Sequence, residues 1–322
     1  MTLALMQARM NLQANAQQTA GLPSEERRRR ALRAIQDRDL DSLWALVLAH
    51  LVLHGRRGPK VSAATLEKYR QAYEAYWAWT EQAGVMITRP HADAGLSYIR
   101  FLEANGRVRS TVGWHLASCK ALYEALRWCT ATEADPFRDV RPVADSRAAH
   151  KKGKLYSQDQ IEALVAVANP EEAVVVLLGA DCGLRAGEIM GLQRAHLHLA
   201  EQPPVIFVLG KGAKTREVAL SRRAEAALRR WLDMTPGWGP ALLGATSVKW
   251  AETTMQRLCK AAGIEYAGRT VHGLRRTAGT RLYEETLDLL GTRDFLGHSS
   301  TAPTEVYVQY ARDKKKPANR DW

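Results

Sequence analysis

The stretch VHGLRRTAGTRL, Val271 to Leu282, sets a histidine three residues ahead of an arginine and continues with Ala278 and Leu282 at helical spacing. His272 and Arg275 therefore share one helical face and can address a single object. A solvated helix start would read the same way in isolation, so the surrounding sequence has to decide between the two.

Composition bounds the answer. A chain of 322 residues with 46% hydrophobic content can fill two cores, and two domains are expected. The formal charge is +12, from 46 Lys and Arg against 34 Asp and Glu, which points to a polyanionic partner, nucleic acid first. No apolar run reaches the ~20 residues that span a bilayer, and no signal-peptide pattern opens the chain. A cytoplasmic location is the expectation. Cys119, Cys129, Cys182 and Cys259 form no CxxC pair and fit neither a zinc site nor a disulfide framework. His196 and His198 make a lone HxH without a nearby carboxylate, so no metal is expected.

Periodicity organises the rest. Residues 1–58 form an N-terminal extension, with EERRRR and SLWALVLAHLVL giving one or two helices and residues 1–22 expected to be mobile. Residues 59–140 read as a small helical bundle. There Ser62 caps a helix carrying Leu66, Tyr69, Tyr73, Tyr76 and Trp77, followed by helices marked by Leu96, Ile99 and Leu102, and by Leu116, Cys119, Tyr123 and Leu126. The stretch RPVADSRAAHKKGK, Arg141 to Lys154, loses all apolar spacing and reads as a basic linker.

Residues 155–322 form the second domain. Ser157 and Gln160 make a capping box, and Val174 to Leu178 mark a second helix. Then CGLRAGEIMGL, Cys182 to Leu192, breaks at Gly183 and puts Arg185 and Glu188 on one face, where a plain surface ion pair is the alternative. VIFVLG and TREVAL read as two strands presenting Lys211 and Lys214 at a hairpin tip. FLGHSSTAPTEVYVQY places His298 in a turn, Pro303 near a helix start and Tyr307 in that helix.

A Gly-Leu-Arg turn, a hairpin lysine, His-x-x-Arg, Leu-Gly-His and a tyrosine nine residues later, in this order over residues 60–312, resemble the tyrosine recombinase or phage integrase family. The resemblance implies a mainly α fold with a small β element: a helical, SAM-like core-binding domain, a basic linker and an α+β catalytic domain. It implies that Arg185, Lys211, His272, Arg275, His298 and Tyr307 are catalytic and that Glu188 supports them. Within the family the layout is most similar to the Xer group, which resolves chromosome dimers, although phage and plasmid integrases share every motif. Family members work on double-stranded DNA as homo- or hetero-tetramers, alone or with a second recombinase; for this chain no cofactor is expected, since arginines can neutralise the phosphate without magnesium.

The chemistry of a phosphodiester gives independent reasons for these residue types. Attack on phosphorus builds negative charge on the non-bridging oxygens, which Arg185 and Arg275 can hold by bidentate bonds with His298 as a further donor. His272 is the candidate base for Tyr307, and Lys211 the candidate acid for the leaving oxygen, with Lys214 as its substitute. Lys60, Arg70, Arg107, Arg109, Ser110 and Thr111 are candidate phosphate contacts of the bundle. Lys151, Lys152 and Lys154 of the linker, Lys214 and Arg276 complete the expected DNA-binding set. A non-catalytic DNA-binding module and a type IB topoisomerase are the rival readings.

The charge makes a first prediction: log K for duplex DNA falls linearly with log salt at a slope of about −0.9 per phosphate neutralised. A flat salt response in a binding titration would refute a phosphate-clamping protein.

Overall fold

A computed structural model describes residues 3–144, 153–210 and 215–314. Contacts divide the chain into two compact units, Met1–Ser146 and Arg147–Trp322. Of the linker, residues 145–152, with Lys151 and Lys152, lie outside the described residues, as does the hairpin tip 211–214 with Lys211 and Lys214.

Among the described residues, the regular elements of the first unit are all helices: α1 Leu3–Ala20, α2 Ser24–Gln36, α3 Leu40–His54, α4 Ala63–Gln82, α5 Ala94–Ala104 and α6 Arg109–Trp128, with a short 3-10 turn at Gly58–Lys60. Ser62 caps α4 by accepting from the Thr65 N–H, as its hydroxyl beside an apolar stripe predicts. That stripe buries Tyr73, Tyr76 and Trp77 against Tyr98 of α5 and Leu122 and Tyr123 of α6. The rings interlock edge to face, Tyr76 lying 4.9 Å from Tyr98 and 5.4 Å from Phe137. Buried phenols need partners, and the Tyr76 and Tyr123 hydroxyls find each other at 3.0 Å.

Residues 24–53 contribute Ala31, Ala34, Leu43 and Val47 to this same core. The expectation that residues 1–22 are mobile is corrected: residues 3–20 form α1, whose Leu12 and Ala16 seat against Ala49 and Val52 of α3. Alanine and glutamine favour a helix without supplying an apolar stripe, so the signal lies in propensity and in the partner face on α3.

The second unit is built round one buried helix. It runs α7 Gln158–Val167, α8 Pro170–Ala180 and α9 Ala186–Met190, then strands β1 Leu197–His198, β2 Val205–Leu209 and β3 Thr215–Ala219, then α10 Arg222–Met234, α11 Val248–Ala261, α12 Thr270–Thr286, α13 Leu289–Leu296 and α14 Glu305–Lys314. Every residue of α8 from Val174 to Ala180 is buried, because α7, α10 and α12 pack on it from different sides. The Ser157 and Gln160 capping box forms as the sequence predicts.

The three strands make one antiparallel sheet in order β1-β2-β3, with Val205 opposite Ala219 and Leu209 opposite Thr215. His198 lies edge-on to Phe207 and pairs with Glu201, and the His196 ring accepts from the Gln193 N–H. All four cysteines are buried and unpaired. No described helix is long and apolar enough to cross a membrane.

At the C-terminal end of α8, Asp181 accepts from Arg223 twice at 2.6 Å, from Ser221 at 2.7 Å and from Arg281 at 3.1 Å. These bonds tie α8 to the starts of α10 and the middle of α12. They fix the turn that follows, which carries Arg185.

The aromatic core makes a second prediction. Tyr76→Phe strands the Tyr123 hydroxyl in an apolar interior and is expected to cost about 1–3 kcal/mol, whereas adding Tyr123→Phe should cost less than the sum of the single changes. Urea denaturation of the full chain checks it; additive losses would show that the hydroxyl pair contributes nothing.

Candidate active site

Gly183 opens the site. Its φ of +65° turns the chain out of α8, and a Cβ there would lie 2.8 Å from Leu296 and 2.9 Å from Phe295, so both conformation and space demand glycine. Two residues on, Arg185 is the N-cap of α9, and its N–H donates to Glu188 Oε2 at 2.9 Å while its Nη1 donates to Oε1 at 2.7 Å. The predicted Arg185 and Glu188 face therefore exists, but it is no surface ion pair: the Glu188 side chain is 7% exposed.

Two further arginines converge on the same carboxylate. Arg216 of β3 donates to both its oxygens, at 3.0 and 2.9 Å, and Arg275 Nη1 of α12 stands 3.7 Å away. Arg275 is fully buried, with Nη1 donating to the Gly183 carbonyl at 2.6 Å and Nη2 to the Leu296 carbonyl at 2.5 Å. It thus pins the turn before Arg185 to the end of α13, and its Nε has no hydrogen-bond partner among the described residues. Of the two predicted phosphate-binding arginines, Arg185 is the one open to solvent, at 39%.

Burial alone would raise the Glu188 carboxyl's pKa, but the bonds from Arg216 and the Arg185 N–H outweigh it and hold it at about 2. Arg275 shifts the other way, pushed down to about 10 by burial and by Arg185, and stays a cation at neutral pH.

The two histidines face this positive cluster. His272 has an exposed edge but is crowded by protein elsewhere; desolvation first, then Arg276, Arg275 and Arg185, lowers it to about 4. His298 follows Gly297, the left-handed end of α13, and is lowered to about 4 by burial, Arg275 and Arg185. Its Nδ1 lies 2.8 Å from the Thr304 hydroxyl, and its ring stacks on Tyr307 with centroids 6.2 Å apart and planes 7° apart.

Tyr307, in the first turn of α14, is 2% exposed. Its ring lies on α12 over Gly279, where a Cβ would stand 3.1 Å from Tyr307 Cζ and 2.8 Å from Leu296. Burial raises its pKa, and Arg275, Arg276 and Arg185 pull it part of the way back. Tyr310, three residues on, faces elsewhere: its hydroxyl donates to the Gly153 carbonyl at 2.5 Å.

Arg185, Glu188, His272, Arg275, His298 and Tyr307 are thus brought together from four segments: the start of α9, α12, the turn after α13, and α14. The expected DNA contacts are more scattered. Lys60, Arg107, Arg109 and Ser110 are exposed and Thr111 is half-buried. Arg70 is engaged by Asp41 and Glu74, Lys154 by Glu265, and Arg276 packs against Gly153 and donates to the Gly268 carbonyl.

Arg216, Gly279 and Thr304 were missed in the sequence. Alternation along β3 puts Arg216 on the same face as buried Val218, and an inward-facing strand arginine requires a buried anion. That was the legible signal; Gly279 and Thr304 carried none.

Residues 154–314, half of the chain, match the model of the phage integrase family. The chain belongs to that family. It is a tyrosine recombinase of Xer-like sequence: the tyrosine recombinase XerC of Pseudomonas fluorescens is 27% identical over 268 residues, covering 79% of this chain and 88% of that protein. The tyrosine recombinase XerD of Xanthomonas axonopodis pv. citri is 28% identical over 306 residues, covering 87% and 93%. In fold, the chain is similar to a lambda integrase dimer bound to a COC′ core site, with TM-score 0.66 and 14% identity over 86% of this chain and 80% of that one. The Tn1549 transposon integrase in complex with circular intermediate DNA aligns with TM-score 0.63 and 16% identity over 85% and 99%.

The histidine shifts make a third prediction. The folded recombinase binds protons at His272 and His298 more weakly than the unfolded chain, about 4 against 6.5. Their contribution to stability is complete above pH 6.5 and is lost as pH falls toward 4. His272→Gln should flatten the dependence of the urea midpoint on pH in that window; an unchanged slope would refute the assignment.

Proposed function

We propose that this recombinase cleaves and rejoins DNA through a 3′-phosphotyrosine at Tyr307. The observation that carries the reading is the placement of Tyr307 within the field of Arg185 and Arg275, stacked on His298. Arg185, open to solvent, meets the non-bridging oxygens of the scissile phosphate, while Arg275 fixes its turn and adds charge from below. Because Tyr307 and Arg275 are covered, α14 has to shift for the phenol to reach phosphorus.

The proton ledger follows from the ionisation states. Tyr307 is a neutral phenol at pH 7 and must lose its proton as the bond to phosphorus forms. His272, neutral at that pH, accepts it, and a phosphate anion beside the ring raises its basicity. The 5′ oxygen leaves and takes a proton, for which Lys211 is the proposed donor. The ester to Tyr307 conserves the energy of the broken bond, so the 5′ hydroxyl of a second strand can displace the tyrosine without ATP. Two such exchanges, made by a tetramer on two duplexes, pass through a Holliday junction.

The identity to XerC and XerD over most of their lengths supports an Xer-type role, the resolution of chromosome or plasmid dimers at a fixed site. The proposed organisation is that residues 59–140 hold one face of the site, a linker over 141–154 follows the duplex and residues 155–322 do the chemistry.

A nicked suicide substrate carrying the target site tests the nucleophile. Tyr307→Phe keeps ring and packing and is expected to bind DNA but form no covalent adduct, while Tyr310→Phe still traps DNA, both in excess chelator because arginines supply the charge. Denaturing electrophoresis with peptide mapping reads the result; an adduct in Tyr307→Phe, or one mapped to Tyr310, overturns the reading.

A further inference from the structure

The Thr304 side chain is 0% exposed, and its hydroxyl lies 2.8 Å from His298 Nδ1. No other acceptor meets that hydroxyl among the described residues. A buried O–H left without an acceptor loses its hydration for nothing, so Thr304 must donate and Nδ1 must accept. An Nδ1 that accepts carries no hydrogen. The proton of the neutral ring is then on Nε2, which has no hydrogen-bond partner among the described residues.

The same residue holds the nucleophile. The Thr304 carbonyl accepts the Tyr307 N–H at 2.9 Å, so the side chain fixes the imidazole while the backbone fixes the start of α14. Thr304 itself is anchored, its N–H donating to the Thr301 carbonyl at 2.7 Å. This double hold accounts for the near-parallel stacking of the His298 and Tyr307 rings, 7° between planes.

We propose that Thr304 is a positioning residue that locks His298 in its Nε2–H tautomer and sets the register between that ring and Tyr307. Resting on the function proposed above, the consequence is that His298 presents a donor, never an acceptor, to a phosphate oxygen. An acceptor lone pair turned toward that oxygen would repel the charge that the transition state builds. Burial and the Arg275 and Arg185 charges keep His298 neutral at physiological pH, so which nitrogen carries the proton is a question of tautomer.

The test needs no DNA for its first arm. Two-bond 1H–15N correlation spectra of the full chain with 15N-labelled histidine, the His298 signals assigned by their loss in His298→Gln, report the tautomer directly. Wild type and Thr304→Ser are expected to show Nε2–H, and Thr304→Val a mixture. A wild-type ring protonated on Nδ1, or a Thr304→Val ring still wholly Nε2–H, overturns the proposal; the wild-type measurement stands even if the valine variant fails to fold.

In the second arm, at saturating suicide substrate, Thr304→Val should cleave about tenfold more slowly with unchanged DNA affinity, short of the hundredfold expected for deleting the donor, and Thr304→Ser should restore the rate. A tautomer that shifts in Thr304→Val while cleavage stays at the wild-type rate supports the lock and overturns instead the part of His298 as a donor to the scissile phosphate.

Discussion

The second unit depends on one carboxylate. Glu188 gathers Arg185 from its own helix, Arg216 from β3 and Arg275 from α12, and without it two of those guanidiniums would be buried cations with no counter-charge. Removing one partner of such a buried set costs about 3–5 kcal/mol, far more than a surface ion pair. The carboxylate therefore does two things at once. It holds three elements in register, and it leaves the cluster with a net positive charge that a phosphate can answer.

That surplus charge governs the neighbouring groups. His272 and His298 sit in the field of the arginines and stay neutral at physiological pH, as the acceptor and donor parts proposed for them require. The same field lowers the pKa of Tyr307 too, but there it works against burial and offsets part of what burial adds. At neutral pH the guanidiniums, Arg275 included, hold the charge of the site, and in the proposed reaction proton movement is left to imidazole and phenol. Glycine makes the geometry possible at two points: Gly183 frees the turn that aims Arg185, and Gly279 leaves room for the Tyr307 ring on α12.

Much of the first unit was legible, and the reason is local. The α4 stripe of Leu66, Tyr69, Tyr73, Tyr76 and Trp77 has a single helical period, its cap is a serine, and neither signal needs a distant partner. The helix α1 was not legible because its stability comes from a face on α3 that no local period announces. Glu188 was read correctly as the partner of Arg185, three residues away, and incompletely as a surface group. Its other two arginines come from 28 and 87 residues further along the chain.

The sequence alone determined the α4 stripe and its serine cap, the break at Gly183, the turn at His298, the Ser157 and Gln160 capping box and the residue types a phosphodiester site requires, since each is written within a few adjacent positions. Only the tertiary structure decided that Arg275 is buried as a strut while Arg185 stays open, that Tyr310 bonds to Gly153 while Tyr307 stacks on His298, and that Thr304 joins those two rings. The physical reason is the same each time. Which face of a helix meets solvent, and which donor finds which acceptor, follows from packing between segments far apart in the chain, and no local propensity encodes that.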